Sequence, residues 1–174
     1  MKEEKMTTDY LMSYTAAGLM YPESLAIAEA YVKTYDWEKT WEQIRTDNLM
    51  QKRSQASIER QRWELVKRLK KLNDLEIVEL VAADPDRQRE MLWFAVRRTY
   101  PFIDEICSEL LPEKAASSDP FITSSDLRVF YDQKSLEHEK LRDYTESTRK
   151  KLISNAMTLM RQAGIIGENG SIRI

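Results

Sequence analysis

Apolar positions recur along most of this chain at three- and four-residue intervals, the spacing of one helix face. Tyr10 to Tyr21 is apolar with a single Gly and predicts a short helix or an extended arm packed on the core. Tyr21-Pro22-Glu23 then starts a helix, with Leu25, Ala28, Tyr31, Val32 and Tyr35 on its inner face. Asp36 is the expected N-cap of a second helix with an apolar stripe of Trp37, Trp41 and Ile44, fading at Asp47-Asn48. After a connection at residues 49–53, Ser54 caps a helix running to Leu72.

Asp74 is the expected cap of a helix over residues 75–83, and Asp84-Pro85 opens the next, which stops at Tyr100-Pro101. Phe102, Ile103, Ile106, Cys107, Leu110 and Leu111 predict one more, broadly buried helix. Residues 112–120 (PEKAASSDP) read as the clearest loop in the chain. Beyond it Ser125-Asp126 opens a helix with Leu127, Val129, Phe130 and Leu136, and Thr145 caps a long helix through Gln162 with Gly164 as its stop. Asn169-Gly170 between Ile165-Ile166 and Ile172–Ile174 predicts a small hairpin.

The pattern predicts an all-α fold, a compact multi-helix domain with helix-turn-helix-like elements and a small C-terminal β-hairpin. A helical region at residues 1–111 and a second at 121–174, ending in a wing-like hairpin, are expected to form one compact unit. Composition agrees: only four Gly and five Pro occur among plentiful Leu, Glu, Lys, Arg, Ala and Met. The longest apolar run, Met91 to Val96, falls far short of the roughly 18–20 residues of a bilayer span, and the N-terminal residues lack a signal-peptide core. A cytoplasmic protein with no membrane association is therefore expected. Cys107 and His138 are the single cysteine and histidine. With no Gly-rich phosphate loop or triad either, the sequence points to no enzyme, no metal, no cofactor and no small-molecule substrate. Cys107 reads as a buried structural thiol and His138 as a surface residue, while Met91, Met157, Met160, Trp37 and Trp41 read as core.

Charge changes this picture. Met50 to Leu72 holds eight Lys or Arg against Glu59 and Glu64, a surplus of six positive charges in a chain of net charge −2. Ile58, Leu65, Val66, Leu69 and Leu72 share one side of that helix, and Arg60, Lys67 and Lys71 fall opposite, with Arg68 and Lys70 at the edges. Arg62 lies on the apolar side and needs a carboxylate or a route to water. Trp63 faces away from the core, toward a neighbouring element or a ligand. A polyanion suits this surplus, because Lys and Arg displace counterions from phosphates. The plain alternative is a solvated face in which Glu64 pairs with Arg60 and Arg68. Tyr144 to Ala163 carries a smaller surplus of three, and its order of basic helix then hairpin is that of a recognition helix and wing.

Four stretches, SYTAAGLMYPESLAIAEAY, WEKTWEQI, NLMQKRSQASIERQRWELVKRL and YTESTRKKLISNAMTLMRQAGII, resemble the BrxA family of small helical proteins encoded in bacterial BREX phage-exclusion systems. Tyr144 stands where that pattern leads one to expect Trp. The resemblance implies an all-helical fold similar to NusB-type antitermination proteins and non-enzymatic DNA binding in an antiphage locus. It carries binding roles onto Gln51, Lys52, Arg53, Ser54 and Arg60, and onto Arg149, Lys150 and Lys151; the helical wheel adds Lys67 and Lys71. Double-stranded DNA is the expected partner, with other BREX proteins beside it. A protein–protein adaptor, to which Trp63 and the acidic segment Asn73 to Val96 point, and an RNA-binding protein are the alternatives.

Overall fold

The computed structural model describes residues 10–46 and 55–173. The expectations placed on Gln51, Lys52, Arg53, Ser54 and the connection at 49–53 lie outside the described residues. The chain opens on an extended arm with one 3₁₀ turn, Ser13–Ala16, followed by α1 (Tyr21–Tyr31), α2 (Trp37–Thr46), α3 (Gln55–Leu69), α4 (Asp74–Ala82) and α5 (Pro85–Thr99). Next come α6 (Pro101–Glu105), a π turn at Ile106–Leu110, α7 (Leu111–Ala115), α8 (Ser124–Glu137), α9 (Glu139–Arg142) and α10 (Glu146–Gln162). Helix α1 packs on α2, α3, α4 and α5, and α3 packs on α5; α10 lies against α8 and the arm.

Local chemistry sets these boundaries. Asn73 caps α4 in a capping box, taking the Glu76 N–H on its side chain while Glu76 takes the Asn73 N–H. The cap is thus Asn73, one residue before the Asp74 expected. Asp84 accepts from the N–H groups of Asp86 and Arg87, with Pro85 at the first helical position, as expected. Thr123, rather than Ser125, opens α8, again with a capping box completed by Asp126. Thr145 caps α10 as expected. Gly164, at φ +77°, ends α10 in a Schellman arrangement: Gly164 N–H donates to Arg161 and Ile165 N–H to Met160. Tyr100 is extended ahead of Pro101 and divides α5 from α6. At the π turn Leu111 N–H reaches back to Ile106; Pro112, which follows, has no N–H to offer. Helical structure nevertheless continues to Ala115, shortening the expected loop.

Several expectations are corrected. Helix α1 ends at Tyr31; Tyr35 is left-handed at φ +51° and 52% exposed, so it extends no helical face. Val129 and Leu136, counted among the apolar residues of α8, are 58% and 77% exposed, because Leu127, Phe130 and Tyr131 take the core side. The C-terminal β-hairpin is not built as one: the turn forms at residues 167–170, but only isolated bridges flank it, Ile166 to Ile172 and Phe121 to Ser171. The partner of Ser171 comes from the loop before α8, so the two short β-branched runs share a single bridge. Ile122 N–H donates to Gly170 O at 2.9 Å and Ile172 N–H to Pro120 O at 3.2 Å. Gly170, at φ +86°, must be Gly, since a Cβ there would collide with the Ile122 carbonyl.

The arm from Tyr10 to Leu19 threads between α3 and α10. Tyr14, wholly buried, donates its hydroxyl to Leu152 O on α10 at 3.1 Å, and Leu19 N–H donates to Gln162 Oε1 at 2.7 Å. On the other side Arg68 of α3 donates to Gly18 O at 2.6 Å and Ala17 O at 2.8 Å. These carbonyls belong to an extended segment with no ladder to satisfy them, and the guanidinium fork supplies the missing donors.

Candidate nucleic-acid interface

Helix α3 buries Ile58, Leu65, Val66, Leu69 and, just past its end, Leu72, as the pattern required. It also buries Arg62, Glu64 and Arg68. Arg68 is an internal strut: besides the arm carbonyls, its Nε donates to the Tyr100 hydroxyl at 2.9 Å. That hydroxyl donates in turn to Glu64, which also takes Lys67 Nζ at 3.0 Å and Ser13 Oγ at 3.1 Å. Burial, with the Glu64 carboxylate adding to it against the pull of Arg68, pushes the Tyr100 phenol well above its ordinary range. Arg62 is 6% exposed, and its Nε has no partner among the described residues.

The outward positions sort differently. Arg60 and Lys71 are exposed, and their side chains remain candidates for phosphate. Lys67 is half-exposed but bound to Glu64 and to Ser13 Oγ at 3.0 Å, which weakens its claim. On α10, Lys150 and Lys151 are exposed together with Ser154 and Thr158. Arg149 is turned back to hold the turn before α10, donating to Tyr144 O at 2.9 Å and Arg142 O at 2.8 Å. Lys150 borders a shallow cleft of about 220 Å³ with Ser124, Ser125, Arg128, Ile153 and Ser154. Arg128 there is neutralised by a two-pronged pair with Glu146 at 2.6 and 2.8 Å.

The arm joins the two basic helices. Ser13 receives Lys67 of α3, and the next residue, Tyr14, bonds Leu152, which adjoins Lys151 on α10.

An aromatic pair formed by exposed Trp63 of α3 and partly buried Trp41 of α2 was half visible in the sequence. Trp63 is 58% exposed and meets Trp41 of α2 at 4.7 Å between ring centroids. Trp37, stacked on Tyr31 at 4.0 Å, carries Lys70 Nζ over its ring at 5.8 Å. Trp37 and Trp41 are thus only partly buried, at the margin of the core. Trp63 was legible as off the core face, but its partner depends on how α2 and α3 align across a connection whose length gives no register.

A larger groove, about 340 Å³, lies elsewhere, with Leu72, Met91 and Phe94 among its apolar residues and Glu76, Glu79 and Glu90 beside Arg87 and Arg97. Its carboxylates do not favour a polyanion. Cys107 is mostly buried, and burial pushes its thiol up to about 11. His138 is half-buried and stacks on Tyr10 at 3.8 Å, so it is more enclosed than a surface residue. Among the described residues no group of three or more His, Cys, Asp or Glu is placed to hold a metal ion. No described helix is long and apolar enough to cross a membrane.

A model of the BrxA family matches residues 8–174. The chain belongs to the BrxA family. The BREX protein BrxA of Bacillus cereus (strain H3081.97) is 20% identical over 157 residues, 90% of this chain and 78% of that protein. A crystal structure of an uncharacterized protein from Magnetospirillum magneticum superposes with a TM-score of 0.82 at 16% identity, covering 94% of this chain and 85% of that one. That likeness shows the BrxA-family chain and the Magnetospirillum protein to share a fold.

Proposed function

We propose that this BrxA-family protein is a non-enzymatic, cytoplasmic accessory of a BREX phage-exclusion system that binds double-stranded DNA, mainly through phosphates. The observation that carries the reading is the exposure of Arg60 on α3, of Lys71 in the turn just past it, and of Lys150 and Lys151 on α10, two helices clasping one arm. Exposed cations on solvent-facing helix surfaces release condensed counterions when they meet a duplex, giving affinity without sequence preference. The same reading takes the multi-helix fold as NusB-like and the order of α10 and the turn after it as that of a recognition helix and wing, although only isolated bridges flank that turn. The name of the Bacillus relative supports the BREX context. A mobility-shift titration with unrelated duplexes over a salt series tests it. Binding should weaken steeply with salt, and Arg60→Glu with Lys71→Glu should weaken it further; undiminished binding in that variant removes α3 from the interface.

A second reading, docking onto another BREX protein, is favoured by exposed Leu75 and Val78 on α4 and Phe94 on α5, which are 82%, 40% and 42% exposed. Co-purification with a protein partner, in the absence of any duplex shift, would select it.

A further inference from the structure

Trp63 is a large apolar side chain left more than half open on a helix whose other large apolar residues are buried. Its indole is backed by Trp41 at 4.7 Å, with the rings inclined by 43°, and among the described residues it is held on that side and open elsewhere. Arg60 lies three residues before it and Lys67 four after, on the same face of α3, and Lys70 follows at the turn that ends the helix. Arg45, exposed, stands one turn beyond Trp41 on α2, and Lys70 already lies over Trp37. The two helices thus present cations interleaved with indoles. Lys67 is offset by Glu64, and exposed Glu42 and Glu59 flank the stripe, so Arg45, Arg60 and Lys70 supply its charge.

We propose that this α2–α3 face is a platform for single-stranded nucleic acid, with Trp63 stacking an unpaired base and Arg45, Arg60 and Lys70 holding the adjoining phosphates. The inference rests on the nucleic-acid reading above and goes beyond it, because a base inside a duplex has no free face to offer an indole. Stacking on an aromatic platform tolerates any base, and flanking cations follow the backbone. An acidic protein segment would meet the cations and gain nothing particular from the flat indole surface.

The test uses the full chain, labelled oligothymidylate, a duplex of the same length and oligoglutamate, compared by anisotropy at one salt concentration. Trp63→Ala should weaken oligothymidylate binding at least about five-fold, the low end for losing one stacked base. Duplex binding should change less than about two-fold, and Trp63→Phe should retain most single-strand affinity. A thermal melt of each variant checks that α3 is intact; should Trp63→Ala fail to fold, Trp63→Phe against Trp63→Leu, matched in apolar character, gives the same comparison. Duplex binding without single-strand binding overturns the platform and leaves the duplex reading standing. Single-strand binding indifferent to Trp63, or oligoglutamate binding that depends on Trp63, also overturns it. If neither nucleic acid binds, both readings fall.

Discussion

Glu64 and Arg68, one turn apart on α3, meet on a single phenol oxygen: the Tyr100 hydroxyl donates to Glu64 and accepts from Arg68 Nε at 2.9 Å. All three residues are at least 96% buried, so no water can replace a lost partner. Tyr100→Phe should therefore cost about 1–3 kcal/mol, the penalty for stranding buried polar groups. Glu64→Leu should cost more, about 3–5 kcal/mol, since it strands the Tyr100 and Ser13 hydroxyls and breaks the part-buried pair with Lys67. Urea unfolding midpoints check both; a Tyr100→Phe midpoint equal to wild type would show the phenol to be dispensable.

Arg149 and Lys150 are neighbours in different settings: Arg149 is bound to the turn before α10, and Lys150 is exposed. Arg149→Gln removes two charge-assisted bonds to the Tyr144 and Arg142 carbonyls and should lower stability by about 1–3 kcal/mol. The salt slope of duplex binding should stay as it is. Lys150→Gln should leave the melting temperature unchanged and reduce that slope by about one. Reversed results would place Arg149 on the phosphate.

The Cys107 thiol is held at about 11, against an ordinary 9.0, by burial first, with Arg97 opposing and Asp104 assisting. At pH 8 thiolate in the folded chain is then about a hundredfold scarcer than in the unfolded one, and iodoacetamide should react at least that much more slowly. Because the folded value lies above the unfolded one, this contribution to stability is complete below pH 9.0 and is lost as pH rises toward 11. Cys107→Ala should flatten that part of the alkaline stability profile; equal alkylation rates in folded and unfolded chains would contradict the burial.

Glu76 joins α4 to α5, taking Arg98 at 2.8 Å and the Asn73 N–H at 2.8 Å. Arg98 first, and then the Asn73 N–H, hold its carboxyl below the ordinary 4.5. A folded value below the unfolded one gives stability that is present above pH 4.5 and lost as pH falls through the lower, folded value. Glu76→Gln, which still accepts from Asn73, should make the acid limb of the thermal stability profile shallower. An unchanged limb would mean that Arg98 pairs elsewhere in solution.

Features with short-range causes were the legible ones. Asp84-Pro85, Thr145 and Gly164 announce helix ends because the groups they satisfy lie within four residues. The apolar face of α3 was legible for the same reason. Arg68 was not: its place inside follows from the Ala17 and Gly18 carbonyls, some fifty residues earlier. Asn169-Gly170 correctly marked a turn, yet the bridge at Ser171 goes to Phe121, a partner no hairpin rule could name. The exposure of Val129 and Leu136 was not legible, because helical spacing says which residues share a face, not which face a distant element will cover. In the candidate interface Arg60, Lys71, Lys150 and Lys151 could be read from charge and period alone. The demotion of Lys67 and Arg149 could not, since it turns on Ser13 and on carbonyls in the turn before α10.

The arm also fixes an order of events. Tyr14 and Leu19 find their partners 138 and 143 positions downstream, on α10. A chain emerging from the ribosome therefore leaves the Tyr14 hydroxyl and the Leu19 N–H without these partners until nearly the last described helix has been made. Closure over such a separation is slow relative to local helix formation. Until then α3 holds the segment through Arg68 on the Ala17 and Gly18 carbonyls and Glu64 on Ser13, while the Tyr14 hydroxyl has only water to turn to. Fragments ending before Leu152 should for that reason be proteolysed within the first twenty residues, even where α1 to α5 have already packed.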